Sequence, residues 1–375
     1  MRFYGFHLMP WPYLDEAHRN SGAASWVTLS NKEYDPVRGR ELYERYLSEL
    51  VAYDQAGFDG VCVNEHHQTA YGLMPAPNLV AATLIGRTRG TIALLGNAIA
   101  LRDHPLRVAE EVAMLDVLSN GRIVSGFVRG IGSEYHTFAL DPTSSRDRFH
   151  EAHDLIVRAW TEPGPFEWYG EHYKLRYVNP WPRPIQQPHP PIWSPSQGSG
   201  ETIEWAAERR YTYLQTFTDL ESLRRIFASF KEATERHGYA ADPEQLGWSV
   251  PIYLAESDEA ARAGARPHVD YLFNTLLRMP PDMLFPAGYL TEASAARVRS
   301  SRRGLGSGRL DPDDLMERGY VLAGSPASVG EALARLRDEL GFGTLVGVLQ
   351  FGSVSHGEFE RTLSLFTEQV MPGLR

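Results

Sequence analysis

The chain alternates short apolar runs with longer stretches in which apolar residues recur every three to four positions. The first kind reads as buried strand, the second as helix with one face on a core. Strand-like runs fall at 2–8, 60–64, 91–99, 122–128, 192–194, 211–217, 247–254 and 344–351. Helical patterns follow them near 39–56, 77–88, 103–121, 144–161, 201–208, 219–237, 257–277, 328–340 and 358–370. The third is well punctuated, with Asp103 as N-cap candidate, Pro105 early and Gly121 just past its end.

Strand–helix alternation sustained over eight units predicts a parallel sheet covered by helices. Two stretches break the rhythm. At 165–191, "FEWYGEHYKLRYV" reads as a hairpin and "PWPRPIQQPHPP" as an extended surface segment. Residues 279–319 are rich in Pro, Ser, Gly and Arg and carry no period. The expected fold is an α/β (β/α)8 TIM barrel, one domain over 1–375. It carries a hairpin insertion after strand 4 and helix 4 and a long insertion before strand 8. An open doubly wound sheet is the alternative; against it, no GxGxxG follows the first strand and no GxxxxGK[ST] occurs.

A barrel places its site on the loops after the carboxyl ends of the strands. There the apolar run Val61-Cys62-Val63 gives way at once to Asn64, Glu65, His66, His67 and Gln68. Strand alternation sends Glu65 and His67 one way and His66 the other. That spacing is a poor metal clamp, so no metal site is expected and an acid–base imidazole is the better reading. Other strand ends offer His7, Asn97, Arg129 and Gln350. The turn Gln197-Gly198-Ser199-Gly200 opens a helix with Ser199 and Thr202 at or near its first turn. Free N–H groups, the helix dipole and two hydroxyls form an anion cradle there, which Arg129 could complete. Plain N-capping by Ser199 is the competing reading.

Composition narrows the partners. With 37 basic and 47 acidic residues the formal charge is −10, and no basic stripe marks a nucleic-acid surface. The lone cysteine, Cys62, rules out intrachain disulfides and suits a reducing compartment. No apolar stretch approaches the roughly 20 residues of a membrane span or the core of a signal peptide, so a cytoplasmic location without membrane contact is expected.

Taken together, "NEHH" at 64–67, "DHPLRVAEEVAMLDVLSNGR" at 103–122, "GFVRG" at 126–130, "ETIEWAA" at 201–207 and "FTEQVMPGLR" at 366–375 carry a resemblance. In this order and spacing, with the aromatic first strand, the chain resembles the bacterial luciferase-like flavin monooxygenases over nearly its whole length. The resemblance implies a barrel that binds reduced FMN at the top of the strands. His66 matches the family's catalytic histidine, Arg129 its phosphate arginine, and Ser199 and Thr202 its phosphate hydroxyls. It also implies flavin contacts at Glu65, Asn97, Val128 and Gly198, a cis peptide at Gly96-Asn97, and a further site histidine at His104. Val128 stands where luciferases carry a cysteine, so light emission is not expected. Gly198 stands where they carry a glutamate. The implied reaction joins reduced FMN and O2 in a C4a-peroxyflavin that passes one oxygen atom to an apolar organic substrate. A separate NAD(P)H:flavin reductase would supply the reduced FMN, the protein would be a homodimer, and 279–319 would close as a lid. The alternative within the fold is hydride transfer with the deazaflavin F420. A barrel hydrolase using Glu65, which needs a second carboxylate, and a flavin binder without turnover stand further off.

Overall fold

The expected strands form, and they close on themselves. The computed structural model describes residues 1–292 and 309–375. In it β1 (Arg2–His7), β2 (Gly60–Val63), β3 (Thr91–Ala98) and β4 (Ile123–Val128) pair side by side in parallel. β5 (Phe166–Tyr169) and β6 (Lys174–Val178) leave the sheet as the antiparallel hairpin. β7 (Ile192–Ser196), β8 (Thr212–Thr216) and β9 (Leu246–Leu254) continue it. β10 (Leu322–Gly324), which the apolar pattern does not reveal, extends the end of β9. β11 (Thr344–Gln350) then inserts between β9 and β1, and the eight-stranded barrel is closed. That closure excludes the open sheet.

The strands read as continuous apolar runs because both faces are covered: β2, β9 and β11 are buried at every position. The helix Pro36–Gln55 shows how one outer layer is set. Asp35 accepts from the N–H groups of Val37 and Arg38, Pro36 occupies the first turn, and Leu42, Tyr46, Leu50 and Tyr53 turn inward. Tyr53 lies so close over β1 that a Cβ on Gly5 would fall inside its ring. Gly5→Ala should therefore cost about 1–3 kcal/mol of stability through overpacking, read as a lower urea midpoint at unchanged slope.

The insertions are anchored by carboxylates. Glu151, on the helix Ser145–Thr161, accepts from the N–H groups of His172 and Tyr173 and from Trp168 Nε1, which pins the hairpin. Buried Asp116 accepts from the N–H groups of Ile185 and Gln186 and from Gln186 Nε2, which pins the extended segment. Of the long insertion, the helix Pro281–Leu284 packs against Gly132, and the helix Pro312–Glu317 leads into β10. The remainder of the expected lid, 293–308, lies outside the described residues. Among the described residues no helix is long and apolar enough to cross a membrane.

A cavity of about 480 Å³ opens at the amino-terminal end of the barrel, over Tyr4 and Trp193. Its charged groups are already committed. Arg122 donates to the carbonyls of Ile85, Gly90 and Ser119, and Arg2 pairs with Glu244 at 2.9 Å. Hydrogen bonds and an ion pair tie that end together.

Candidate active site

β2 ends at Val63, and the five polar residues that follow sort into two clusters. Glu65 is buried; Oε1 meets His67 Nε2 at 2.8 Å and Oε2 meets Arg102 Nη2 at 2.6 Å. Its Oε2 also takes the N–H of Ala98, so this carboxylate is a strut tying the ends of β2 and β3 together. His66 turns elsewhere, as the alternation predicts. Its ring stands edge-on to Trp26 and Tyr71, with centroids 5.3 and 5.2 Å away. Its Nδ1 lies 3.2 Å from Oε1 of Glu134.

Glu134 is the carboxylate that the strand ends alone do not reveal. It sits on the seven-residue helix Gly132–Phe138, too short to leave a period in the sequence. Its side chain is 2% exposed, and Oε2 is held by the N–H of Ile131 at 2.9 Å. A buried carboxylate fixed in this way orients the imidazole. With Nδ1–H donating to Glu134, Nε2 is left as the acceptor. Trp26 arrives from the long first loop, anchored by Nε1 on the carbonyl of Leu276. That loop therefore walls the histidine.

His7, at the end of β1, belongs to the frame. Its Nδ1 accepts from the N–H of Met9, so Nε2 carries the proton and donates to Glu49 at 2.7 Å. Burial outweighs the help of Glu49 and holds the imidazole below its ordinary value, hence neutral. Glu49 stays ionised between His7, Arg45 and His356. His104 is exposed just before the helix Leu106–Ser119. The expected cis bond at Gly96-Asn97 is absent: the cis peptides among the described residues all precede proline. Instead the β3–β4 register shifts between Leu95 and Asn97, so an irregularity in the ladder repositions Asn97.

The second polar centre is a cleft of about 60 Å³ at the start of the helix Gly200–Arg209. Val128, Arg129, Ser199 and Thr202 all line it, so four of the expected flavin contacts meet in one place, with Gly198 adjoining Ser199. The structure adds Arg146, His150 and Glu201, which the strand-end reading missed because they lie on helices. Burial, and then the charges of Arg146 and His153, keep His150 below its ordinary value. Arg129 donates to Ser145 Oγ at 3.2 Å and to the carbonyl of Tyr289 at 2.9 Å, with its guanidinium 4.0 Å over the Tyr289 ring. Ser199 does not cap its helix; its hydroxyl donates to Glu201.

Orphaned polar atoms test whether a phosphate and a polar ring fit here. Trp205 and Ser194 line the cleft, and Trp205 Nε1 and Ser194 Oγ are buried without a hydrogen-bond partner among the described residues. Asn64 Oδ1 and both amide atoms of Asn97 are likewise buried and unpaired among the described residues, at the ends of β2 and β3. Buried polar groups without partners are rare in folded proteins, and a ligand is one of the few explanations for them. The two centres share one loop. Arg129 carries the cleft, Glu134 five residues on orients His66, and Tyr135 returns its hydroxyl to the Arg129 carbonyl. Among the described residues no group of three or more His, Cys, Asp or Glu could hold a metal ion.

Fold and site together define a (β/α)8 barrel with an imidazole–carboxylate pair and, beside it, a cleft lined by Arg129, Arg146 and two hydroxyls at the carboxyl ends of its strands. The family model for luciferase-like monooxygenases matches residues 25–343, and the chain belongs to that family. It is 29% identical over 236 residues to the oxygenase component of the flavin-dependent trigonelline monooxygenase of Acinetobacter baylyi, covering 62% of this chain and 64% of that protein. Over 160 residues it is 36% identical to an alkanal monooxygenase alpha chain of Photorhabdus luminescens, covering 41% and 42%. The chain thus matches less than two thirds of the length of these curated relatives. The fold is shared with the FMN complex of the oxygenating constituent of 3,6-diketocamphane monooxygenase from Pseudomonas putida. That match has TM-score 0.73 and 18% identity and covers 99% and 98% of the two chains. An F420-dependent secondary alcohol dehydrogenase has the fold as well, with TM-score 0.70 and 15% identity over 100% and 99%.

Proposed function

We propose that this chain is the oxygenase of an FMN-dependent monooxygenase system, taking reduced FMN from a separate NAD(P)H:flavin reductase. The observation that carries the reading is the meeting of Arg129, Ser199 and Thr202 in one cleft with two orphaned donors. Family membership and a relative named as an oxygenase component support it. Arg129, Thr202 and the start of the helix Gly200–Arg209 would hold the phosphate, with the ring toward Val128, Asn97 and the Glu65 strut. Bound reduced FMN would supply the electrons that divide O2 between an organic substrate and water.

The protein's own work is to place, shield and move protons. His66 Nε2, left free by the Glu134 contact, accepts or returns a proton at the reacting centre. Trp26 and Tyr71, both buried, exclude water around it and give an apolar or aromatic substrate a wall to lie against. The test is O2 uptake with reduced FMN against candidate apolar compounds, followed by mass spectrometry for one added oxygen atom. The likeness to an F420 enzyme makes hydride transfer the second reading. Oxidation of reduced F420 without O2 consumption would establish it and overturn the first.

Glu134→Gln should lower turnover about tenfold, a fraction of what full loss of an acid–base group costs. An amide N–H facing Nδ1 moves the ring proton to Nε2, while Ile131 keeps an acceptor. Histidine ring ¹⁵N shifts report the tautomer, and Glu134→Asp should recover part of the rate.

A further inference from the structure

The anion cleft already holds a charge of the protein's own. Glu201 is the second residue of the helix Gly200–Arg209, and both its carboxylate oxygens are engaged. Oε2 accepts from Ser199 Oγ at 2.8 Å and Oε1 from Thr291 Oγ1 at 2.8 Å, with Arg146 Nη2 3.6 Å away. Burial would push this carboxyl up. Its own backbone amide, the Ser199 and Thr291 hydroxyls and Arg146 more than offset that and hold it at about 2, so it is ionised at any working pH.

These are the groups that would receive an incoming phosphate. A helix-start amide, a serine hydroxyl and an arginine are the ordinary elements of a phosphate cradle, and here a carboxylate has them. We propose that Glu201 is a resident anion that competes with the phosphate monoester of the flavin for Ser199 and Arg146. It thereby sets how tightly the cofactor is held. The inference rests on the FMN reading above. An arriving dianion either displaces the Glu201 carboxylate from Ser199 and Arg146 or is seated beside a like charge; both lower its affinity. Arg129 is self-satisfied too, but by a neutral carbonyl and a hydroxyl, which yield to a phosphate without repelling it. A loosened grip on the phosphate suits a protein that takes its flavin from another and returns it after each turnover.

The competing idea is that Glu201 holds Ser199 and Arg146 in place for the phosphate. The two predict opposite signs. Oxidised FMN and riboflavin are titrated by fluorescence quenching at fixed ionic strength into the parent, Glu201→Gln and Glu201→Ala, with inorganic phosphate as a competing probe. The side chain is about one-third exposed, so solvent screens part of the effect and both variants should fold. We expect both to bind FMN about tenfold tighter, the effect of removing one partly screened like charge, while riboflavin affinity stays put. Inorganic phosphate should compete at correspondingly lower concentration. Unchanged or weaker FMN binding in either variant overturns the proposal. Equal affinity of the parent for FMN and riboflavin overturns the phosphate reading and this inference with it. A parent that prefers FMN, with that preference unmoved by Glu201→Gln, overturns the Glu201 inference alone.

Discussion

His66→Ala should bind oxidised FMN as the parent does and form product roughly 10²–10⁴-fold more slowly. The size follows from what is removed. The imidazole packs in T-shaped contacts against the stacked pair Trp26 and Tyr71, with one nitrogen given to a buried carboxylate, an arrangement that leaves the other nitrogen oriented. The ring is a fifth exposed and meets Trp26 and Tyr71 in T-shaped contacts, so its truncation also removes some packing, which a melting curve reads separately from the rate. A structural role would appear as a falling melting temperature and parallel losses in FMN binding and rate. A proton-transfer role appears as loss of rate alone, measured as product per reduced flavin under single turnover. Turnover at the parent level would remove His66 from the chemistry.

Arg129→Ala should weaken FMN by one to two decades and leave riboflavin nearly untouched. A charge-assisted hydrogen bond contributes about 1.5–3 kcal/mol, and about 1.4 kcal/mol is one decade in affinity. Arg129 is the cation at the end of β4 and lines the cleft with Ser199 and Thr202. The substitution also leaves the Tyr289 carbonyl without its donor, so some stability is lost, and the riboflavin titration serves as the control. Arg129→Lys keeps the charge but not the planar fork, and should fall between the two. Equal losses for FMN and riboflavin would place Arg129 away from the phosphate. Together with the Glu201 variants, the pair should move FMN affinity in opposite directions from one cleft.

Much of this protein is legible without coordinates because the barrel writes itself into local patterns. The run Val61-Cys62-Val63 is apolar on both faces and ends abruptly in Glu65 and His66, so the sheet, the strand end and the histidine emerge together. The glycine-rich turn before the helix Gly200–Arg209 draws attention to Ser199 and Thr202 through the same local logic of helix starts, and both do line the cleft. The tertiary structure alone decided who partners whom. Glu134 reaches His66 across 68 residues from a helix too short to show a period. Tyr289 engages Arg129 across 160 residues, and Thr291 meets Glu201 across 90. In sequence Glu201 reads as an ordinary acidic residue complementing a helix dipole. Only the folded chain shows its carboxylate on the serine and beside the arginine that a phosphate would need. The physical reason is common to all of these. Helices and strands are specified by neighbours a few residues apart, whereas a charge finds its partner through the packing of loops, which no local period records.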